Sequence, residues 1–173
     1  HEIPNSDIKA HCPEKDFNDY DYNFSYYCKN VTKAWSSATY DSKRNTVYFW
    51  GGGHHDYYGN EVYSFDINTL KMSRITDPAK PVDYKLPPQT ELYPHDGSQP
   101  NSRHTYDGLT YLASADKIWA FSGSLASGSG GPDSATWIFD PETNKWQLDT
   151  PTGNLPVGGI GMLSAYDPLS KKI

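Results

Sequence analysis

Thr46-Val47-Tyr48-Phe49-Trp50-Gly51-Gly52-Gly53, followed by Glu61-Val62-Tyr63-Ser64-Phe65-Asp66, decides the fold, because the pattern returns about seventy residues later. The second copy reads Lys117-Ile118-Trp119-Ala120-Phe121-Ser122-Gly123-Ser124, then Ala135-Thr136-Trp137-Ile138-Phe139-Asp140. Short motifs precede both copies: Ser37-Ala38-Thr39-Tyr40 and Gly108-Leu109-Thr110-Tyr111. A third copy starts at Gly158-Gly159-Ile160-Gly161-Met162-Leu163-Ser164-Ala165-Tyr166. Self-similarity of this kind marks an array of supersecondary units, each needing its neighbours to cover its apolar faces.

Apolar and polar residues alternate within each copy, and Gly, Asn, Asp and Ser punctuate the runs, as half-buried strands and their turns require. The first copy predicts strands at about 36–41, 46–52, 61–66 and 71–75. The second predicts 106–112, 117–122, 135–140 and 145–149. Turns fall at Asp41–Asn45, Asn68-Thr69, Ser114–Asp116 and Pro141–Asn144, and a fifth at Asp167–Lys171. Trp146 follows the Pro141–Asn144 turn; Met72 takes the matching place in the first copy.

Tyr48–Gly53 with Val62–Asp66, and Trp137–Asp140 with Trp146, resemble the kelch repeat, the four-stranded blade of galactose-oxidase-like β-propellers. The second copy carries Ser122-Gly123-Ser124 where that family has paired glycines, and the first lacks the late Trp. The resemblance implies an all-β, kelch-type β-propeller over residues 34–173, with repeats at about 34–76, 103–150 and 158–173. Two complete four-stranded repeats and the start of a third are then expected to belong to a larger ring of six or seven blades, with further blades beyond residue 173. The same family uses copper held by Tyr and His, with a Tyr cross-linked to a Cys; here neither Cys lies within a copy.

Residues 1–33 stand apart as an N-terminal extension containing both cysteines, Cys12 and Cys28, outside any CxxC pairing. A local disulfide is expected, and with it a secreted or extracellular protein. Asn23-Phe24-Ser25 and Asn30-Val31-Thr32 are glycosylation-type triplets. The chain opens at His1 without Met, as it would after removal of a signal peptide or where the numbering starts inside a longer protein.

Composition agrees with many short strands: 14% aromatic residues, 14 Gly and 13 Pro in 173 residues, and only 36% hydrophobic residues. The net charge of −6 is dispersed and contains no Lys/Arg block, so nucleic acid is not an expected partner. No apolar run is long enough for a membrane-spanning helix.

Strands of a four-stranded antiparallel unit run up, down, up and down, so both tight turns leave from one end. Residues 54–60, 77–102 and 125–134 therefore emerge together at the other end, where long loops are usually functional. His54, His55, Asp56, Tyr57 and Tyr58 lie in the first of these segments, and Arg103, His104 and Tyr106, just after the second, open the second copy on the same rim. Imidazoles and a carboxylate can ligate a transition metal, so His54, His55 and His104 are the candidate metal ligands. Arg103 either grips a ligand carboxylate bidentately or pins the connector to the blade. Tyr57, Tyr58, Tyr93 and Tyr106 are the candidates for stacking on a sugar, whereas Trp50, Tyr63, Phe65, Trp119, Trp137 and Trp146 fall where a blade needs core.

Other patterns lead less far. Asp19-Tyr20-Asp21-Tyr22-Asn23-Phe24-Ser25 spaces oxygens like a calcium loop, but Phe24 and Asn30 replace the Gly and Glu of an EF-hand. His95-Asp96 has no nucleophile elbow with it, and Leu125–Pro132 lacks the Lys of a phosphate loop and reads as a mobile rim segment. The expected function is binding of a glycan or protein through the long-loop rim. The alternatives are a metal-dependent, copper-oxidase-like enzyme with a His/Tyr site on that rim, and a structural propeller in an extracellular assembly.

Overall fold

A computed structural model describes residues 3–20, 23–52, 57–79, 98–126, 131–154 and 156–173. Strands β1 (Ser37–Asp41), β2 (Thr46–Trp50), β3 (Tyr63–Asp66) and β4 (Lys71–Arg74) pair in sequence order as one antiparallel sheet. β5 (Arg103–His104) and β8 (Ser124–Leu125) form a separate two-stranded ladder. β6 (Leu109–Leu112), β7 (Lys117–Phe121), β9 (Thr136–Asp140) and β10 (Lys145–Asp149) make the second four-stranded sheet, again in sequence order. The described chain is therefore mostly strand, with one helical turn, α1 (Phe24–Tyr27), and three short 3-10 turns in the N-terminal extension.

One turn design serves the β1–β2, β3–β4 and β9–β10 hairpins. An aspartate ends the first strand and accepts the backbone N–H two residues on: Asp41 from Lys43 at 2.9 Å, Asp66 from Asn68 at 2.7 Å, Asp140 from Glu142 at 2.9 Å. Asp167 does the same for Leu169 at 3.0 Å. The last turn residue then sits in the left-handed region, with φ of 53° at Asn45, 54° at Leu70, 55° at Asp116, 56° at Asn144 and 57° at Lys171. Asn and Asp tolerate that conformation because their short polar side chains bond locally; Leu and Lys do so at a cost.

Most strands stop one to three residues short of the extents read from sequence, and for three of them the backbone gives the reason. β2 ends at Trp50 because Gly51 turns away at φ 115°, and β7 ends at Phe121 because Ser122 and Gly123 follow at 60° and 93°. Tyr106, at φ 50°, delays β6 until Leu109. The β5–β8 ladder has no counterpart in the repeat pattern. The third copy contributes isolated bridges only: Asp107 with Leu163 in parallel, and Asp167 with Lys172.

The two large sheets pack face to face through Tyr48, Trp50 and Val62 on one side and Leu109, Tyr111, Ile118, Ala120, Trp137 and Phe139 on the other. Successive contacts show β1 and β6 running side by side in the same direction: Ser37 N to Thr105 Oγ1 at 2.7 Å, Tyr111 N to Thr39 Oγ1 at 2.8 Å, and Arg44 to Asp116 at 2.6 Å. Thr110, one sheet further on, meets Ser164 of the third copy at 2.6 Å. Below the core, Asp116 receives the Arg44 guanidinium through both oxygens, together with Lys43 and the Tyr111 hydroxyl. Arg44, first, and then Lys43 hold the Asp116 carboxyl well below the usual carboxylate range.

Cys12 and Cys28 are joined by a disulfide, Cα atoms 5.7 Å apart, which is compatible with an extracellular protein. Asn30 is only 1% exposed, so its amide does not stand at the surface. Asn23 is half-buried at a left-handed position before α1. Among the described residues no helix is long and apolar enough to cross a membrane.

Replacing Leu70, an exposed residue at positive φ, by Asn should stabilise the fold by about 0.5–1 kcal/mol, read as a higher urea midpoint at unchanged m-value. For Asp116 the folded pKa lies below the unfolded one, so its contribution is complete at neutral pH and drains away as pH falls below about 4. Asp116→Asn should cost about 1–2 kcal/mol at pH 7 and flatten the acid limb of a stability–pH curve; equal acid sensitivity in variant and parent would contradict this role.

Candidate functional site

The long segments meet at the end of the sheets opposite the tight turns, and their described parts are bound tightly to one another. Gly52 N donates to Arg103 O at 2.8 Å, Ser102 Oγ to Tyr57 O at 2.5 Å, and Ala126 N to Ser102 O at 2.9 Å. A Cβ on Gly51 would lie 2.7 Å from both Arg103 O and Thr105 Cγ2, so backbone approaches backbone here more closely than a side chain allows. Asn60, fully buried, accepts from Ala79 N at 2.8 Å and donates to Pro100 O at 2.9 Å, joining the two ends of the connector. Gln99 Nε2 adds a bond to Asp77 O at 2.8 Å.

Arg103 takes the pinning role. It is 2% exposed, its Nε bonds Asn101 O and its Nη1 bonds Ser122 O, each at 3.1 Å. Nη2 lies 2.8 Å from Oδ2 of Asp133, a fully buried carboxylate, although the pair is not aligned as a linear hydrogen bond. The guanidinium also lies over the Trp50 ring at 5.5 Å. An interior charge needs such a partner, and Asp133 supplies it. Asp133 directly follows Leu125–Pro132, the segment read from sequence as a mobile rim; Leu125, Ala126 and Asp133 are buried, and residues 127–130 lie outside the described residues.

Tyr57 points inward. At 1% exposure, it donates its hydroxyl to Glu61 Oε1 at 2.5 Å, and Tyr63 donates to the same oxygen at 2.6 Å. Among the described residues Glu61 Oε2 has no hydrogen-bond partner. A Cβ on Gly59 would come within 2.3 Å of that oxygen, so only glycine fits beside the acid. Burial raises the Glu61 pKa against the lowering effect of the two phenols, and burial, then the carboxylate charge, raises both tyrosines. Tyr57 thus serves the interior, not a stacking surface.

His104 and Tyr106 come together with a residue that the sequence did not single out, Trp35. The Trp35 and His104 rings are 5.0 Å apart at 44°, and Tyr106 meets His104 edge-on at 6.2 Å. Tyr106 N donates to Trp35 O at 2.9 Å. Both aromatic residues have left-handed backbones, φ 70° at Trp35 and 50° at Tyr106, and each such residue costs about 1–3 kcal/mol. His104 is 9% exposed, whereas Trp35 remains 46% exposed immediately before β1. Tyr58 is exposed elsewhere in the segment.

His54, His55, Asp56, Tyr93, His95 and Asp96 lie outside the described residues. Among the described residues no three His, Cys, Asp or Glu side chains gather as a metal site, and His104 is held between two aromatic rings. No family model matches the chain, and no curated protein matches it.

Glu61 yields a pH test. Its folded pKa is raised, so its share of stability is complete below about pH 4, the unfolded value, and is lost as pH rises through the folded one. Glu61→Gln, which keeps an acceptor for both phenols, should reduce the decline in melting temperature between pH 4 and pH 8. A decline as steep as the parent's would place the titrating group elsewhere.

Proposed function

We propose that these sheets are blades of a kelch-type β-propeller that binds a glycan at its long-loop end. Support for the blade reading comes from two successive antiparallel meanders with β1 and β6 adjacent, and from Ser164 standing to Thr110 much as Tyr111 stands to Thr39. Beyond the second sheet, Trp119, Phe121, Leu163 and Ile173 line an apolar trough where a further blade would pack.

The exposed Trp35 ring carries the binding reading. Scattered exposed aromatics need no explanation, but this one is held by two left-handed backbones hydrogen-bonded to each other and is backed by His104. Strain of this kind persists only where the surroundings over-determine it, and it clusters at ligand sites. A flat, rigid indole at the mouth of the loops suits the apolar face of a sugar ring.

Trp35→Ala is expected to weaken retention on an immobilised oligosaccharide panel by about three- to tenfold. Because the ring is largely exposed, stability should change by less than about 1 kcal/mol. Parent protein that binds no member of the panel, or a variant that binds as tightly, would remove glycan recognition from this surface.

A further inference from the structure

The second face of the first sheet is covered by the chain's own N-terminal extension. Residues alternate across a strand, so Phe49, Tyr63, Phe65 and Met72 point away from the second sheet. Against them pack Ile8, Cys12, Phe17, Phe24, Cys28 and Val31, forming a second core separate from the one between the sheets. Phe24 meets Tyr57 edge-on at 6.0 Å and Phe17 at 6.2 Å. The extension also reaches the edge of the sheet: Met72 N of β4 donates to Asn5 O at 3.1 Å, and Arg74 Nη1 to His11 O at 3.4 Å.

Cover stops before the inner strand. Ala38 and Tyr40 share this face through their pairing with Phe49 and Val47, yet both are exposed, Tyr40 at 49%. The opposite face of the same sheet is packed against a full four-stranded sheet. One sheet thus carries two different covers, one a neighbouring sheet and the other a segment closed by a disulfide.

We infer that residues 8–20 and 23–31 form a stapled cap occupying a sheet-packing face, so that another four-stranded sheet can meet this one only along β1. The partner that fits the covered face is a sheet like the second one, and the cap competes with it for Phe49, Tyr63, Phe65 and Met72. This inference rests on the blade reading above but not on glycan binding. If the array closes into a ring, the closing sheet touches Ala38 and Tyr40 while the cap fills the space beyond them. In an open array, the cap gives this sheet a solvated outer face, as an uncovered unit of a repeat protein needs.

Two full-length variants test the cap: Cys12→Ser/Cys28→Ser, which removes the staple, and Phe24→Asp, which places a charge in the second core. Expected are a several-fold rise in 8-anilinonaphthalene-1-sulfonate fluorescence or concentration-dependent association by sedimentation velocity. The near-ultraviolet circular dichroism of the Trp50–Trp137–Trp146 core should persist in at least one variant. The inference is overturned if neither variant binds dye or associates. It is equally overturned if the tryptophan signal collapses in both, because the cap would then be inseparable from the sheets. Glycan retention does not enter these readouts, so a failure here and a failure of the Trp35 experiment remain distinguishable.

Discussion

A sheet of four strands has two faces, and apolar side chains on either must be kept from water. That constraint orders this molecule. On one face of the first sheet, Tyr48, Trp50 and Val62 turn toward the second sheet; on the other, Phe49, Tyr63 and Phe65 turn toward the N-terminal extension. Burial of a large apolar side chain stabilises by about 1.5–3 kcal/mol, so leaving either set of three wet would cost an amount comparable with a small domain's usual margin. Both covers are therefore structural necessities, one made by repetition of the motif and the other by a segment outside it.

Trp50 is where the sheet core and the loop end become one object. Its ring lies 5.0 Å from Trp146, its Nε1 donates to Asn60 O at 3.1 Å, and Arg103 covers it from above. Asn60 then holds both ends of the connector, and Arg103 holds Asp133 of the next segment. The described parts of the long segments are accordingly fastened by interior polar groups in well-defined pairs, while most of the short turns are fastened by their own aspartates. Preorganisation of the loop end follows from that difference, and rigid positioning is what a binding surface needs.

Much of the fold was legible because the signals are local. Period-two alternation in Tyr48–Trp50 and Trp137–Phe139, and aspartate-led turns at Asp41, Asp66, Asp140 and Asp167, act within a few residues. The site was less legible because its groups meet through space. Nothing near Arg103 in sequence points to Asp133, which sits among Gly and Ser, and nothing near Tyr57 says that Glu61 and Tyr63 will gather its hydroxyl. Tyr57 and Arg103 carry ligand-binding chemistry in isolation; only burial shows that their partners are internal. Trp35 was overlooked for the opposite reason, since it precedes the first strand and belongs to no repeat position, yet it emerges exposed. Burial of Asn30 was likewise illegible, since a three-residue motif carries no information about which way its residues face.

The clamp made by Asn60 has a consequence for how this architecture can change. One side chain receives Ala79 and grips Pro100, so positions 79 and 100 are held at a single buried point. Fastening both positions there keeps the register of the sheets independent of the number of residues that join them. Lengthening such a connection adds closure entropy only slowly, about 0.6 kcal/mol for each doubling. The clamp thus works as a socket: segments of different length and recognition chemistry can be exchanged there by grafting or by evolution, while the sheets beneath keep their packing.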